Sequence, residues 1–203
     1  MQPEKRRELE ERRRQLQQRR EAESYMETYV HPYLEVLGYL NQQAVPYKLG
    51  QLMYLNEDWY GHVTKMIQAT PYNKYSFPVL SPSEMKDLQG ALDQLFDCYP
   101  STNPLRYVPS LRKFADYSVG SPRDDRKGLE ETASALKLSD QRVYLYYLRY
   151  SPILELSLMD ILKHDNEDLF NWHHGDAVIF PTDRSWLMAF TLEEEWYGGR
   201  IVV

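Results

Sequence analysis

Residues 143–150 read Val-Tyr-Leu-Tyr-Tyr-Leu-Arg-Tyr. β-Branched and aromatic side chains fill successive positions, so an extended chain here is dense in strand formers on both faces, as in a central strand. Moving toward the C-terminus, Ile153–Leu156 continues the sheet after Ser151-Pro152, and Ser157-Leu-Met-Asp160 caps a short helix through Lys163. Asp176–Phe180 and Ser185–Thr191 read as two strands joined by the four-residue hairpin loop Pro181-Thr-Asp-Arg184. Gly198-Gly199 reads as a turn into a terminal Ile201-Val-Val.

Moving the other way, the polar run 121–127 (SPRDDRK) leads into a short helix over Leu129–Leu138. Residues 70–122 hold seven of the twelve prolines and are loop-rich, with one well-signalled helix. There Ser81-Pro82-Ser83-Glu84 supplies an N-cap serine, a first-turn proline and a glutamate three residues on, a capping box. Met85, Leu88, Leu92, Leu95 and Phe96 give that helix its apolar face, and it is expected to stop near Cys98–Pro100. Upstream, Met26, Tyr29, Val30, Tyr33, Leu34 and Leu37 recur at helical spacing, with a turn or kink at His31-Pro32. A further helical stretch is expected from Leu49 to Tyr60, with Leu52, Met53, Leu55 and Trp59 inward.

Residues 4–23 (EKRRELEERRRQLQQRREAE) are almost free of apolar side chains and rich in good helix formers. Leu9 and Leu16 lie one heptad apart, but Glu23 occupies the next position, so no coiled-coil seam continues. Helices first and strands last make the class α+β: N-terminal helices followed by a mainly antiparallel C-terminal sheet. The division expected is a charged helical extension over 1–24 and a single α+β domain over 25–203.

Composition narrows the function classes. Of 203 residues, 42% are hydrophobic and 27% charged, the balance of a soluble globule. Cys98 is the sole cysteine, which excludes an internal disulfide framework and an all-cysteine zinc cluster. No run of about 18 apolar residues exists to span a membrane. The first residues are Arg- and Glu-rich rather than apolar, so the expected location is the cytoplasm. Residues 1–21 carry eight Lys/Arg against five Glu, a net of +3. The remaining 182 carry 16 basic against 25 acidic residues, a net of -9. An acidic body disfavours non-specific nucleic-acid binding and suits a basic protein partner, although the same charge also serves plain solubility.

Candidate chemistry is sparse. His173-His174-Gly-Asp176, with His164, Asp165 and Glu167 nearby, is the densest set of metal-ligand types. Adjacent histidines on an extended segment point oppositely, however, and no zinc-enzyme spacing occurs. Cys98 at the end of a helix is a structural cysteine, since a helix C-terminus raises a thiol pKa. Carboxylate pairs such as Asp124-Asp125 and Glu130-Glu131 carry no readable separation. No glycine-rich phosphate loop or G-x-S-x-G is present, and no cofactor is expected. Seventeen tyrosines and four tryptophans exceed ordinary usage, which fits core packing as well as interface anchors.

One stretch carries a resemblance. Trp172…Asp176-Ala-Val-Ile-Phe-Pro-Thr-Asp183-Arg-Ser-Trp186…Phe190…Glu194 is similar to a C-terminal pattern of bacterial immunity proteins from polymorphic and contact-dependent toxin systems. It covers residues 172–194 only. The resemblance implies a role, stoichiometric binding of a cognate protein toxin or another basic protein, and little about architecture. In that reading Asp160, Asp165, Glu167, Asp168, Glu193, Glu194 and Glu195 pair with a basic cleft. Trp172, Trp186, Trp196 and Tyr197 are then the desolvated anchors. No residue is assigned to catalysis or to a metal, and neither a membrane nor a nucleic acid is the expected partner. The alternative from another class is a metal-dependent hydrolase or nuclease using His164, His173, His174 and Asp176. A third is a nucleic-acid-associated accessory protein using the basic extension 1–21, where a solubilising lead-in is the reading favoured.

Overall fold

The computed structural model describes residues 3–25, 27, 34–50, 78–98, 107–109, 114–119, 125–147, 153–164, 169–170, 177–190 and 196–201. Its helices are α1 (Pro3–Tyr25), α2 (Leu34–Gln42), α3 (Pro82–Leu95), α4 (Asp125–Ala135) and α5 (Leu158–Lys163). Its strands are β1 (Lys48–Leu49), β2 (Phe96–Cys98), β3 (Tyr107–Pro109), β4 (Phe114–Val119), β5 (Arg142–Tyr147), β6 (Leu154–Ser157), β7 (Ala177–Pro181), β8 (Trp186–Phe190) and β9 (Trp196–Ile201). The fold is α+β, with helices leading and an antiparallel sheet built mostly from the C-terminal strands.

Sheet order is β1-β6-β5-β7-β8-β9-β4, and every neighbouring pair is antiparallel. β5 does lie inside the sheet, between β6 and β7, and its residues Val143–Tyr147 are all buried. Alternation along it divides the molecule into layers. Val143, Leu145 and Tyr147 join one core with Leu37 and Leu40 of α2, Leu129 and Leu136 of α4, and Leu158 and Ile161 of α5. Tyr144 and Tyr146 face the other way, onto Leu88, Ala91, Leu92 and Leu95 of α3. The sheet is therefore sandwiched between helices, which is why its strands are apolar on both faces.

Local signals account for several elements. In α3 the Ser81 amide donates to Glu84 Oε2 at 2.8 Å and the Glu84 amide donates to Ser81 Oγ at 3.4 Å, a reciprocal capping box. In the β7–β8 hairpin, Asp183 Oδ1 accepts from the Ser185 amide (3.0 Å) and hydroxyl (2.7 Å). Arg184 takes a left-handed φ of 62° there, so the turn is set by its own side chains.

Four expectations are corrected. Leu49 opens no helix: with Lys48 it forms β1, opposite Leu154 and Glu155 of β6, and the rest of the expected 49–60 helix lies outside the described residues. The proline-rich 70–122 stretch holds three strands besides α3. Cys98 ends no helix but sits in β2 opposite Tyr107. Gly198 and Gly199 make no turn; they lie within β9, opposite Met188 and Leu187. The reason is packing, because a Cβ at Gly198 would lie 2.5 Å from Thr132 Cγ2 and 2.8 Å from Leu136 Cδ1 of α4. Glycine lets that helix sit directly on the strand.

Candidate functional site

α5 has six residues, too few to be stable alone, and its ends show what holds it. Ser157 is its N-cap: Oγ accepts from the amides of Met159 (3.1 Å) and Asp160 (3.3 Å) and donates to Asp140 Oδ1 at 2.6 Å. The Met159 amide also donates to Asp140 at 3.2 Å. The Ser157 hydroxyl, followed by the Met159 amide, holds the Asp140 carboxyl below the usual carboxylate range. At the other end, Tyr39 of α2 and His164 are hydrogen-bonded, Oη to Nδ1 at 3.0 Å, with their rings edge-on.

So pinned, α5 turns Leu158 and Ile161 into the core and leaves Met159 and Leu162 beside α4. Met159 is 51% exposed, one of three exposed large apolar side chains among the described residues. Glu130, Ala133, Ser134 and Leu138 on one side, with Met159, Leu162 and Lys163 on the other, line an open groove of about 530 Å³. Ala133, Leu138, Met159 and Leu162 give it apolar surface, with the charged Glu130 and Lys163 among them. Asp160, expected at a partner interface, stands half-buried on the helix that forms one wall.

The opposite face of the sheet carries a different arrangement. Lys48 meets Glu84 at 2.5 Å, and Arg142 Nε donates to Glu155 at 3.0 Å. Lys48 and Glu155 are directly opposed across β1 and β6. The bond from Lys48, then the Ser81 amide, pulls the Glu84 carboxyl down to about 2. The same bond raises the Lys48 ammonium. Burial, then the charge on Glu155, pushes the Tyr144 hydroxyl up to about 12. Each shift favours the form already present at neutral pH, as in an ion-pair network that clamps α3 to the sheet rather than a poised acid or base.

Two expected anchors are corrected by their burial. Trp186 is 1% exposed and Trp196 0%; Trp196 packs against Phe170 and Phe190 with ring centroids at 5.2 Å from each. Their positions 186 and 196 face the same side of the sheet as Met188, toward the larger core, so neither ring is available to a partner. Tyr197 is half-buried on β9, opposite Ala189 and Val119. Asp165, Glu167, Asp168, Trp172, Glu193, Glu194 and Glu195 lie outside the described residues, as do His173, His174 and Asp176. Among the described residues, no three His, Cys, Asp or Glu side chains gather as metal ligands, and no helix is long and apolar enough to cross a membrane.

The groove escaped the sequence reading, though a signal was present. Leu158 and Ile161, three apart, already supply the inward face of a one-and-a-half-turn helix. Met159 and Leu162 repeat that spacing one position on, a second apolar stripe that a single buried face does not require. No protein family, curated protein or solved structure matches this chain.

Proposed function

We propose that this is a non-catalytic binding protein, a bacterial cytoplasmic immunity protein that neutralises a cognate toxin by stoichiometric binding. The observation that carries the reading is the exposed Met159, with the partly buried Leu162, on the wall of the α4–α5 groove, beside the half-buried Asp160. An exposed flexible thioether beside apolar side chains is suited to a partner side chain, and the net -9 of residues 22–203 favours a basic partner. The resemblance over 172–194 supports the role, but within it Asp183, Ser185 and Trp186 shape the hairpin and the core. The acidic residues and the groove, rather than Trp186 and Trp196, are therefore the partner-facing groups in this reading.

The test is protection. The protein is co-expressed with the product of its neighbouring gene, and growth is followed for the wild type and for Met159→Lys with Leu162→Lys. The expected result is growth arrest by the neighbour alone, relief by the wild type through a one-to-one complex, and loss of relief with the double variant. A harmless neighbour, or protection that survives the double variant, removes the proposal.

A further inference from the structure

Most of the glutamates of α1, interleaved with its arginines in sequence, fall away from one basic face in space. The run is heptad-repeating: Lys5-Arg6, Arg12-Arg13 and Arg19-Arg20 recur every seven residues, with Leu9 and Leu16 in the same phase. At about 100° per residue, Lys5, Arg12 and Arg19 stack in one column along the helix. Arg6, Arg13 and Arg20 form a second column about 100° further round, with Leu9 and Leu16 between the two. Glu4, Glu8, Glu10, Glu11 and Glu21 fall on the remaining arc together with Arg7 and Arg14, while Glu23 closes the Lys5–Arg12–Arg19 column at its C-terminal end.

Every basic side chain of this face is exposed, and Leu9 and Leu16 are 47% and 54% exposed. Arg6 pairs with Glu10 at 3.0 Å and Arg19 with Glu23 at 2.8 Å, exposed i,i+4 pairs that a stronger anion displaces readily. Among the described residues, Lys5, Arg12, Arg13 and Arg20 make no ion pair.

We propose that this face of α1 binds duplex DNA, lying in the major groove with its two basic columns on the phosphates of the two walls. A helix is about 10–12 Å across with its side chains, and the major groove is about 12 Å wide. Columns about 100° apart therefore meet opposite walls, while the leucines between them face the base edges and the glutamate arc faces solvent. Five of the six cations are arginine, whose planar guanidinium matches phosphate in two-point contact. At 23 residues α1 is about 35 Å long, close to one turn of the duplex. The leucine stripe is too narrow for stable insertion in a bilayer, and the contacts carry no sequence code. This surface is separate from the α4–α5 groove and does not depend on the function proposed for it.

The experiment uses the full chain and a mixed-sequence DNA duplex of about 30 base pairs, with fluorescence anisotropy across about 50 to 200 mM salt. Six cations on the phosphates give a slope of log affinity against log salt of about -5.4. Replacing Arg12→Gln, Arg13→Gln and Arg20→Gln together is expected to bring that slope to about -2.7. Glu4→Gln, Glu8→Gln and Glu11→Gln, a charge change of equal size and opposite sign on the far arc, leaves the slope unchanged. Circular dichroism confirms that α1 stays helical in both variants. No retention of the duplex at the lowest salt overturns the proposal, as does an equal response to both triple variants. Binding to phosphatidylserine vesicles without binding to the duplex, or a dimer dispersed by the arginine variant, overturns it in favour of a membrane or a second copy.

Discussion

A methyl group added at Gly198 has nowhere to go. It would stand 2.5 Å from Thr132 Cγ2 and 2.8 Å from Leu136 Cδ1, and threonine on a helix has little rotamer freedom with which to retreat. α4 would have to lift from β9, although Arg200, two residues along the strand, donates to the Leu136 carbonyl and holds it down. Gly198→Ala is expected to cost about 1–3 kcal/mol by overpacking, read from the urea midpoint. An unchanged midpoint would mean that the helix is not seated on the strand. Gly90 on α3 has nothing within 4 Å of its added Cβ, so alanine there strains no packing contact.

At the scale of elements, α3 shows how one residue links a local signal to a tertiary one. Glu84 closes the capping box through Ser81 and also bonds Lys48 on β1. Its folded pKa of about 2 lies below the ordinary 4.5, so folding favours the ionised form. That contribution is complete above pH 4.5 and is lost as pH falls from 4.5 toward 2. Glu84→Gln is expected to flatten the acid limb of the stability–pH curve in that window, measured by urea titration at several pH values. A limb as steep as that of the wild type would show that the pairing contributes nothing. The capping box, the Ser157 cap and the hairpin were legible because each is written within about six consecutive residues. β1 was not, because Leu49 and Leu154 are separated by 105 positions and the two-residue strand has no period of its own. The Gly198-Gly199 pair misled for a related reason: turn chemistry and close packing both select glycine, and only the helix lying over it tells them apart.

Across the whole molecule, the sheet divides the buried side chains unequally. The face under α2, α4 and α5 holds Trp186, Trp196, Phe170 and Phe190, whereas the face under α3 holds mainly leucine, alanine and two tyrosines of β5. Trp196 accordingly belongs to stability. Trp196→Ala is expected to cost about 3–5 kcal/mol, while Met159→Ala, half-exposed at the groove, changes stability by no more than about 0.5 kcal/mol. Comparing the two unfolding midpoints checks this, and equal midpoints would contradict the layering. The sequence made the aromatic surplus visible but not its side of the sheet. Trp186 and Trp196 resemble interface anchors until the register between β8 and β9 puts both on one inner face.

The register of β4 on β9 shifts between Phe114 and Tyr117, so the strand that ends this sheet is bulged. A bulge bends and over-twists its strand, and a bent border is a poor template for another chain. At the far border, among the described residues, β1 has two residues, and its Leu49 is already bridged to Val79. Among the described residues, both margins of this sheet are thereby ill-suited to stacking copies edge to edge, the contact from which fibrils grow.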